Sequence, residues 1–229
     1  MQNLTPNLMD KIDVIIADDH TLVRKGILNL LKTFNRIGEI KEAENGKKLL
    51  DLLQVWSPTV VLVDIAMPVM DGFTICEIII SKYPAIKIIV VSMYDEESYV
   101  AKMLELGVHG YLTKNADPEE IERAIYSVVD IDFYQNELVI SILRKMLQNK
   151  PLKRDSANLT AREIEILSLI CKELSYKEIS DQLCISEKTI HNHRNHIMDK
   201  IGAKNTISLV KYAYQNGYLI WSPESTKTK

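Results

Sequence analysis

Three aspartates, a serine and a lysine stand where four apolar runs end. Asp64 closes Val60-Val61-Leu62-Val63, and Asp18 with Asp19 closes Val14-Ile15-Ile16-Ala17. Ser92 closes Ile88-Ile89-Val90-Val91, and Lys114 closes Gly110-Tyr111-Leu112-Thr113. Short β-branched and aliphatic runs read as strands buried on both faces. The carboxyl ends of such strands form the ligand-binding edge of a parallel α/β sheet. Crowded carboxylates repel one another unless a cation joins them, and hard oxygen ligands suit Mg²⁺, which shares its sites with phosphate. The set therefore points to phosphoryl chemistry. Asp64 is the expected nucleophile, giving an acyl phosphate. Mg²⁺ is expected on Asp19, Asp64 and the backbone carbonyl of Ala66, with Asp18 positioning metal-bound water. Lys114 is expected to neutralise the transferring group from the other side. The Ser92 hydroxyl is placed to move towards the phosphoryl oxygens, with Tyr111 swinging inward behind it. A lone Asp at a strand end usually caps a turn. Five such groups on four strand ends have no equally simple structural explanation.

The elements that must position these groups are legible as alternation. Strand patterns near 13–18, 39–43, 60–64, 87–92 and 110–113 are separated by helical patterns near 21–33, 46–55, 72–82, 96–106 and 118–130. Alternation at these lengths predicts right-handed βαβ units and a five-stranded parallel, doubly wound α/β sheet over 11–132. Pro118, followed by Glu119 and Glu120, suits a helix N-terminus. Residues 1–10 read as a disordered lead-in. Residues 133–155 read as a linker, helical in part because Leu138, Ile142, Leu143, Met146 and Leu147 recur at helical spacing, and polar from Lys150 to Asn158.

From 156 to 222 the pattern is all-helical, followed by a tail at 223–229. Thr160 and Glu163 form a T-x-x-E capping box. Ser175 or Tyr176 opens a second helix to about Leu183, and Ser186 caps a third to about Ile201, stopped by Gly202. Asn205 opens a fourth, ending near Gly217. The second and third helices, joined through Cys184-Ile185-Ser186, make a helix-turn-helix, whose second helix enters the major groove of DNA. Ile190, Ile197 and Ile201 fall on one face and should pack inward. The rest of that helix is rich in side chains that hydrogen-bond to bases and phosphates. Ile207, Val210, Ala213 and Tyr214 share a face of the fourth helix that suits either core or a dimer seam. His193 and His196 are three apart, but no Cys or acid completes a tetrahedral metal set in sequence.

Composition sets the outer bounds. The 229 residues are 46% hydrophobic and 26% charged, ordinary for globular protein. Cys76, Cys171 and Cys184 are widely spaced and read as reduced thiols, pointing to the cytoplasm. No signal peptide is indicated. No apolar run approaches the ~20 residues that span a bilayer, so no membrane partner is expected. The net charge of −3 hides an asymmetry. Residues 11–132 carry 13 Lys and Arg against 20 Asp and Glu, residues 133–155 carry 5 against 2, and residues 156–229 carry 10 against 8. An acidic front and a mildly basic rear suggest different partners for each.

Asp18-Asp19, Val63-Asp64-Ile65-Ala66-Met67-Pro68, Asp71-Gly72, Ser92 and Gly110-Tyr111-Leu112-Thr113-Lys114 together resemble the receiver domain of two-component response regulators, a flavodoxin-like fold. The resemblance implies that Asp64 takes phosphate from a phosphohistidine of a sensor histidine kinase and that the receiver slowly hydrolyses it. Met93 follows Ser92 where many receivers carry a small residue, which predicts slow reaction with small phosphodonors. Leu159-Thr160, Arg162-Glu163, Glu165, Leu167, Lys177-Glu178-Ile179, Leu183, Ile185-Ser186, Thr189-Ile190, His193 and Lys200-Ile201-Gly202 resemble the LuxR-type helix-turn-helix of the NarL/FixJ group. Carried over by position, His191, Asn192 and Asn195 would face base edges. Lys188, Thr189, His193, Arg194 and Lys200 would lie near the DNA backbone. His191 and Asn195 stand where basic residues are frequent, which predicts a shallower salt dependence.

The expected function is a phosphorylation-controlled transcription regulator, not an enzyme, that binds double-stranded DNA and forms a homodimer when phosphorylated. A phosphatase using Asp64 as a covalent phosphoenzyme needs an acid two residues on, where Ala66 stands. A DNA-binding protein controlled by a ligand or partner instead would leave the acids, Ser92 and Lys114 without a purpose.

Overall fold

A computed structural model describes residues 11–148, 157–172, 174–203 and 205–218. The expectations for the lead-in at 1–10, most of the polar stretch 150–158 and the tail at 223–229 lie outside the described residues. The front half alternates β1 (Ile12–Ala17), α1 (Thr21–Leu31), β2 (Ile37–Ala43), α2 (Gly46–Val55), β3 (Val60–Val63), α3 (Gly72–Lys82), β4 (Lys87–Ser92), α4 (Glu97–Leu106), β5 (Gly110–Thr113) and α5 (Pro118–Asp130). The strands form one parallel sheet in the order β2-β1-β3-β4-β5.

The two-residue period of the strands sorts their side chains into two cores. Ile15, Val61, Val63, Ile88 and Val90 meet Leu49 and Leu53 of α2, Ile75 and Ile79 of α3, and Val100 and Met103 of α4. Val14, Ile16, Val60, Leu62, Ile89 and Val91 meet Ile27 and Leu31 of α1 and Ile121 and Ile125 of α5. Both faces of β1, β3 and β4 are covered, which explains why these strands read as unbroken apolar runs, while β2 at the edge is mixed. The chain order reverses between β1 and β3, so the carboxyl ends of these two strands open on a crevice.

The linker contains α6 (Glu137–Gln148). Asn136 starts it, accepting the Val139 amide at 3.0 Å. Val139, Ile142, Leu143 and Leu147 are buried, on a helix that packs against both α4 and the last helix of the chain. The rear half is α7 (Ala161–Ile170), α8 (Tyr176–Leu183), α9 (Glu187–Ile201) and α10 (Thr206–Gln215). Its starts are capped as the sequence indicates. Thr160 and Glu163 form a reciprocal capping box, as do Ser175 and Glu178. Ser186 accepts the Thr189 amide at 3.1 Å, and Asn205 accepts that of Ser208 at 2.9 Å. Gly202 ends α9 at φ 65°. Ile166, Leu167, Ile179, Ile190, Ile197, Val210 and Ala213 form the core, which is continuous through α6 with the α2–α3–α4 face of the sheet. Among the described residues no helix is long and apolar enough to cross a membrane.

Candidate functional site

The carboxyl ends of β1, β3, β4 and β5 bring the predicted groups together. Backbone bonds from the Asp64 amide to Ala17 O (2.8 Å) and from the Lys114 amide to Ser92 O (2.8 Å) continue the ladders past the strand ends and fix these residues side by side. Lys114 Nζ lies 2.7 Å from Asp64 Oδ2 and 2.8 Å from Asp18 Oδ2. Both carboxylates are 2% exposed. Burial pulls the Lys114 ammonium down, but hydrogen bonds to Asp18 and Asp64 outweigh it and hold the group above its ordinary value. The backbone amides of His20 (2.7 Å) and Ala66 (3.3 Å) donate to the remaining oxygens of Asp18 and Asp64.

Asp19 Oδ1 is shielded from solvent and takes no hydrogen bond. Oxygens of Asp18, Asp19 and Asp64 and a ring nitrogen of His20 all lie within 4.8 Å of one another, the one such grouping among the described residues. His20 Nδ1 faces Asp19 Oδ1 at 2.8 Å. A shielded carboxylate oxygen that takes no hydrogen bond fits a cation, and the oxygen-rich set fits a hard divalent one. Gly72 keeps the loop beyond Asp64 closed: a Cβ there would stand 2.5 Å from the Asp64 carbonyl oxygen.

Ser92 is fully buried, and its Oγ accepts the Tyr94 amide at 3.2 Å. Tyr111 is already inward. Its ring is fully buried, its hydroxyl donates to Tyr94 O at 2.5 Å, and burial pushes its pKa up to about 12. From the sequence, Tyr111 is expected to swing inward behind Ser92 on phosphorylation. Here the hydroxyl has a carbonyl partner that holds it in without a phosphoryl group.

In the rear half, α8 turns through Cys184, a left-handed residue at φ 52°, into α9. Lys188, His191, Asn192, Asn195 and Lys200 are exposed, while Thr189 and His193 are half-buried. The Tyr176 ring meets His191 edge-on at 6.0 Å. Lys200 Nζ pairs with Glu163 Oε2 at 2.7 Å. Arg194 departs from its expected place near a DNA backbone. It is 6% exposed, and its guanidinium bonds to Asp132 and, at 2.9 Å, to Thr206 Oγ1.

Residues 14–126 match the family model for the response regulator receiver domain, and residues 157–213 match that for bacterial regulatory proteins of the luxR family. Over 215 residues the chain is 34% identical to the oxygen regulatory protein NreC of Staphylococcus aureus, covering 90% of this chain and 98% of NreC. The chain belongs to the NarL/FixJ group of response regulators. Among solved structures it is similar to the RcsB response regulator of Salmonella typhimurium, at 28% identity and a TM-score of 0.56, over 90% of this chain and 99% of that one. It is similar at 27% identity and the same TM-score to an RcsB–DNA complex, over 90% of this chain and 99% of that one. This response regulator thus joins a receiver to a LuxR-type DNA-binding domain, the architecture of a transcription regulator and not of an enzyme.

Two residues of the regulator's acidic site carry little signal in the sequence. His20 was signalled only by its place next to Asp19. Arg24 is nearly buried, donates to the Asp18 backbone carbonyl at 2.6 Å and pairs with Glu42 at 3.2 Å, bracing the β1–α1 loop from behind. Its signal was its place one turn into α1, where a cation more often faces water. Of the helix-turn-helix residues, Ile190 and Ile197 pack inward as expected. Ile207, Val210 and Ala213 line the core against α7 and α6.

Proposed function

We propose that Asp64 accepts a phosphoryl group from a phosphohistidine of a sensor histidine kinase, and that the modified protein dimerises and binds specific double-stranded DNA to regulate transcription in the bacterial cytoplasm. The observation that carries this is one ammonium, Lys114, shared at hydrogen-bond distance between Asp64 and Asp18, beside the shielded Asp19 oxygen. A carboxylate oxygen of Asp64 attacks phosphorus. The P–N bond breaks, and its electron pair returns to the imidazole of the kinase. Lys114 supplies a fixed positive charge to the phosphoryl oxygens as negative charge gathers on them. Asp18, Asp19, Asp64 and the Ala66 carbonyl would hold Mg²⁺, which when bound neutralises the carboxylates and the incoming phosphate. Ser92 then leaves the Tyr94 amide for a phosphoryl oxygen, and Tyr111 keeps its inward place behind it. Water later attacks the acyl phosphate and returns Asp64 to a carboxylate.

In this reading the receiver spans 11–132, the partly helical linker 133–155 and the DNA-binding domain 156–222. His191, Asn192 and Asn195 meet base edges, and Lys188, Thr189, His193 and Lys200 meet the DNA backbone. Their exposure or half-exposure on one helix supports this assignment. Arg194 joins them only if its bond to Asp132 opens. Dimerisation doubles the half-site contacts and raises affinity through effective concentration. The test is phosphotransfer from a phosphorylated histidine kinase, or from acetyl phosphate with Mg²⁺, read by intact mass. The wild type is expected to gain one base-labile phosphoryl group that Asp64→Asn does not gain. Equal labelling of the two proteins would reject the assignment.

A further inference from the structure

Three of the five histidines of the chain lie on α9: His191, His193 and His196. His191 and His196 are exposed and His193 is half-buried, while Ile190 and Ile197 of the same helix pack inward. Helical spacing sets them in two rows. Asn195 lies one turn beyond His191, and His193, His196 and Lys200 follow one another at intervals of three and four residues. Two histidines three apart can share a metal, but among the described residues the one group of three or more ligating side chains is the acidic site.

The fixed charges of the helix nearly cancel. It carries Lys188, Arg194 and Lys200 against Glu187 and Asp199. Arg194 is buried against Asp132, and Lys200 pairs with Glu163. Among the described residues Lys188 is the one cation of the three without an ion pair. A helix so balanced attracts phosphate weakly. Imidazole is the side chain whose ordinary change of charge falls between about pH 5 and 8, and three protonated rings would make this helix strongly cationic. The groups packed around them do not titrate against that change. Burial pushes the hydroxyl of Tyr176, edge-on to His191 from α8, up to about 12, so it stays neutral. On α7 Arg162 pairs with Glu165, and Glu163 with Lys200. On α8 Glu178 bonds to the Ser175 cap, and Lys177 and Asp181 bring one charge of each sign. From α10, which reaches Arg194 through Thr206, come Lys211 and no carboxylate. From the receiver, Asp132 is held below the usual carboxylate range by Arg194, Lys87 and His109 against its burial.

Resting on the reading of α9 as the DNA-contacting helix, we propose that His191, His193 and His196 supply the charge with which that helix meets DNA, so that their protonation sets duplex affinity and its salt dependence. His196, outside the contacts assigned above, becomes a phosphate contact in the row of His193 and Lys200. The test is polarisation of a short fluorescein-labelled duplex with the full chain, before and after phosphoryl transfer. Salt series are run at about pH 6 and about pH 8, on either side of the ordinary imidazole value. His109, pushed down to about 4, titrates below this range. Each protonated imidazole set against a phosphate adds about 0.9 to the slope of log affinity on log salt, so the slope is expected to be steeper by about 2 at the lower pH, with tighter binding at low salt. Replacing all three histidines by Gln is expected to abolish the difference between the two pH values. His191→Lys fixes one charge, and is expected to tighten binding at the higher pH and to remove about a third of the pH effect. Equal slopes at the two pH values in the wild type overturn the proposal and leave the DNA reading standing. A difference that survives in the triple variant also overturns it, because the proton then binds elsewhere. A duplex bound by no form at either pH removes α9 as the DNA helix, and the proposal falls with it. Should the triple variant not fold, each single His→Gln variant is expected to lose about a third of the slope difference, and no loss in any of them overturns the proposal.

Discussion

Lys114 is the residue on which the acidic site depends. Its ammonium lies between two carboxylates that are almost fully enclosed. Removing one member of a buried ionic set leaves charge uncompensated, at a cost of about 3–5 kcal/mol. Lys114→Met is expected to lose stability of that order in metal-free buffer and to regain much of it in Mg²⁺, because a divalent cation can replace the missing charge. Urea denaturation with and without Mg²⁺ reads the difference, and an equal loss in both buffers would contradict the shared-ammonium account. Met93 follows Ser92 in the chain and is 65% exposed. Met93→Ala is expected to speed labelling by acetyl phosphate several-fold, and unchanged rates would remove Met93 as an obstacle to small donors. The acids, Ser92 and Lys114 were legible in the sequence because each ends an apolar run, and parallel strands bring such ends to one edge. Arg24 was not legible, since its burial depends on Glu42, 18 residues away on the neighbouring strand.

At the scale of elements, the helix starts were the most legible part of the rear half because capping is local chemistry. Ser186 satisfies the Thr189 amide at the N-terminus of α9, the end that the proposed DNA reading puts in the groove. Ser186→Ala is expected to cost about 1 kcal/mol of stability and to weaken DNA binding more than Thr160→Ala, whose helix the proposed reading leaves outside the groove. Equal losses of affinity would remove the special role of the α9 start. The junction between halves was legible only as a helical pattern in the linker. What it joins was not, because Asp132 finds Arg194 62 residues later in the chain. That junction has a pH signature. Burial, opposed by Asp132 and reinforced by Lys87 and Arg194, pushes the His109 pKa down to about 4 from its ordinary 6.5. His109 Nδ1 accepts the Ile88 amide at 3.1 Å, as a neutral ring does. Burial alone would raise Asp132, but Arg194, Lys87 and His109 together hold it below the usual carboxylate range. The unfolded chain therefore binds more protons than the folded one between these values, and stability falls as pH drops through the window. From His109 the loss is about 2 kcal/mol on going from neutral to about pH 5. His109→Gln is expected to flatten that slope in urea melts, and an unchanged slope would place the acid sensitivity elsewhere.

At the scale of the whole molecule, the acidic receiver and the mildly basic helical half are joined by α6 into one continuous apolar core. The two families of motif were each readable alone, but their closure on one another was not. The recognition helix looks fully available in sequence, and only the folded chain shows one of its cations taken by the receiver. The most direct test of the central claim is one titration. Wild type and Asp64→Asn are incubated with a phosphorylated sensor kinase and Mg²⁺, phosphoryl content is read by intact mass, and binding to a promoter duplex is followed on the same samples. The account predicts one phosphoryl group on the wild type alone, with dimer formation and duplex affinity rising in proportion to it. A fully phosphorylated wild type that binds the duplex no more tightly than Asp64→Asn would contradict it.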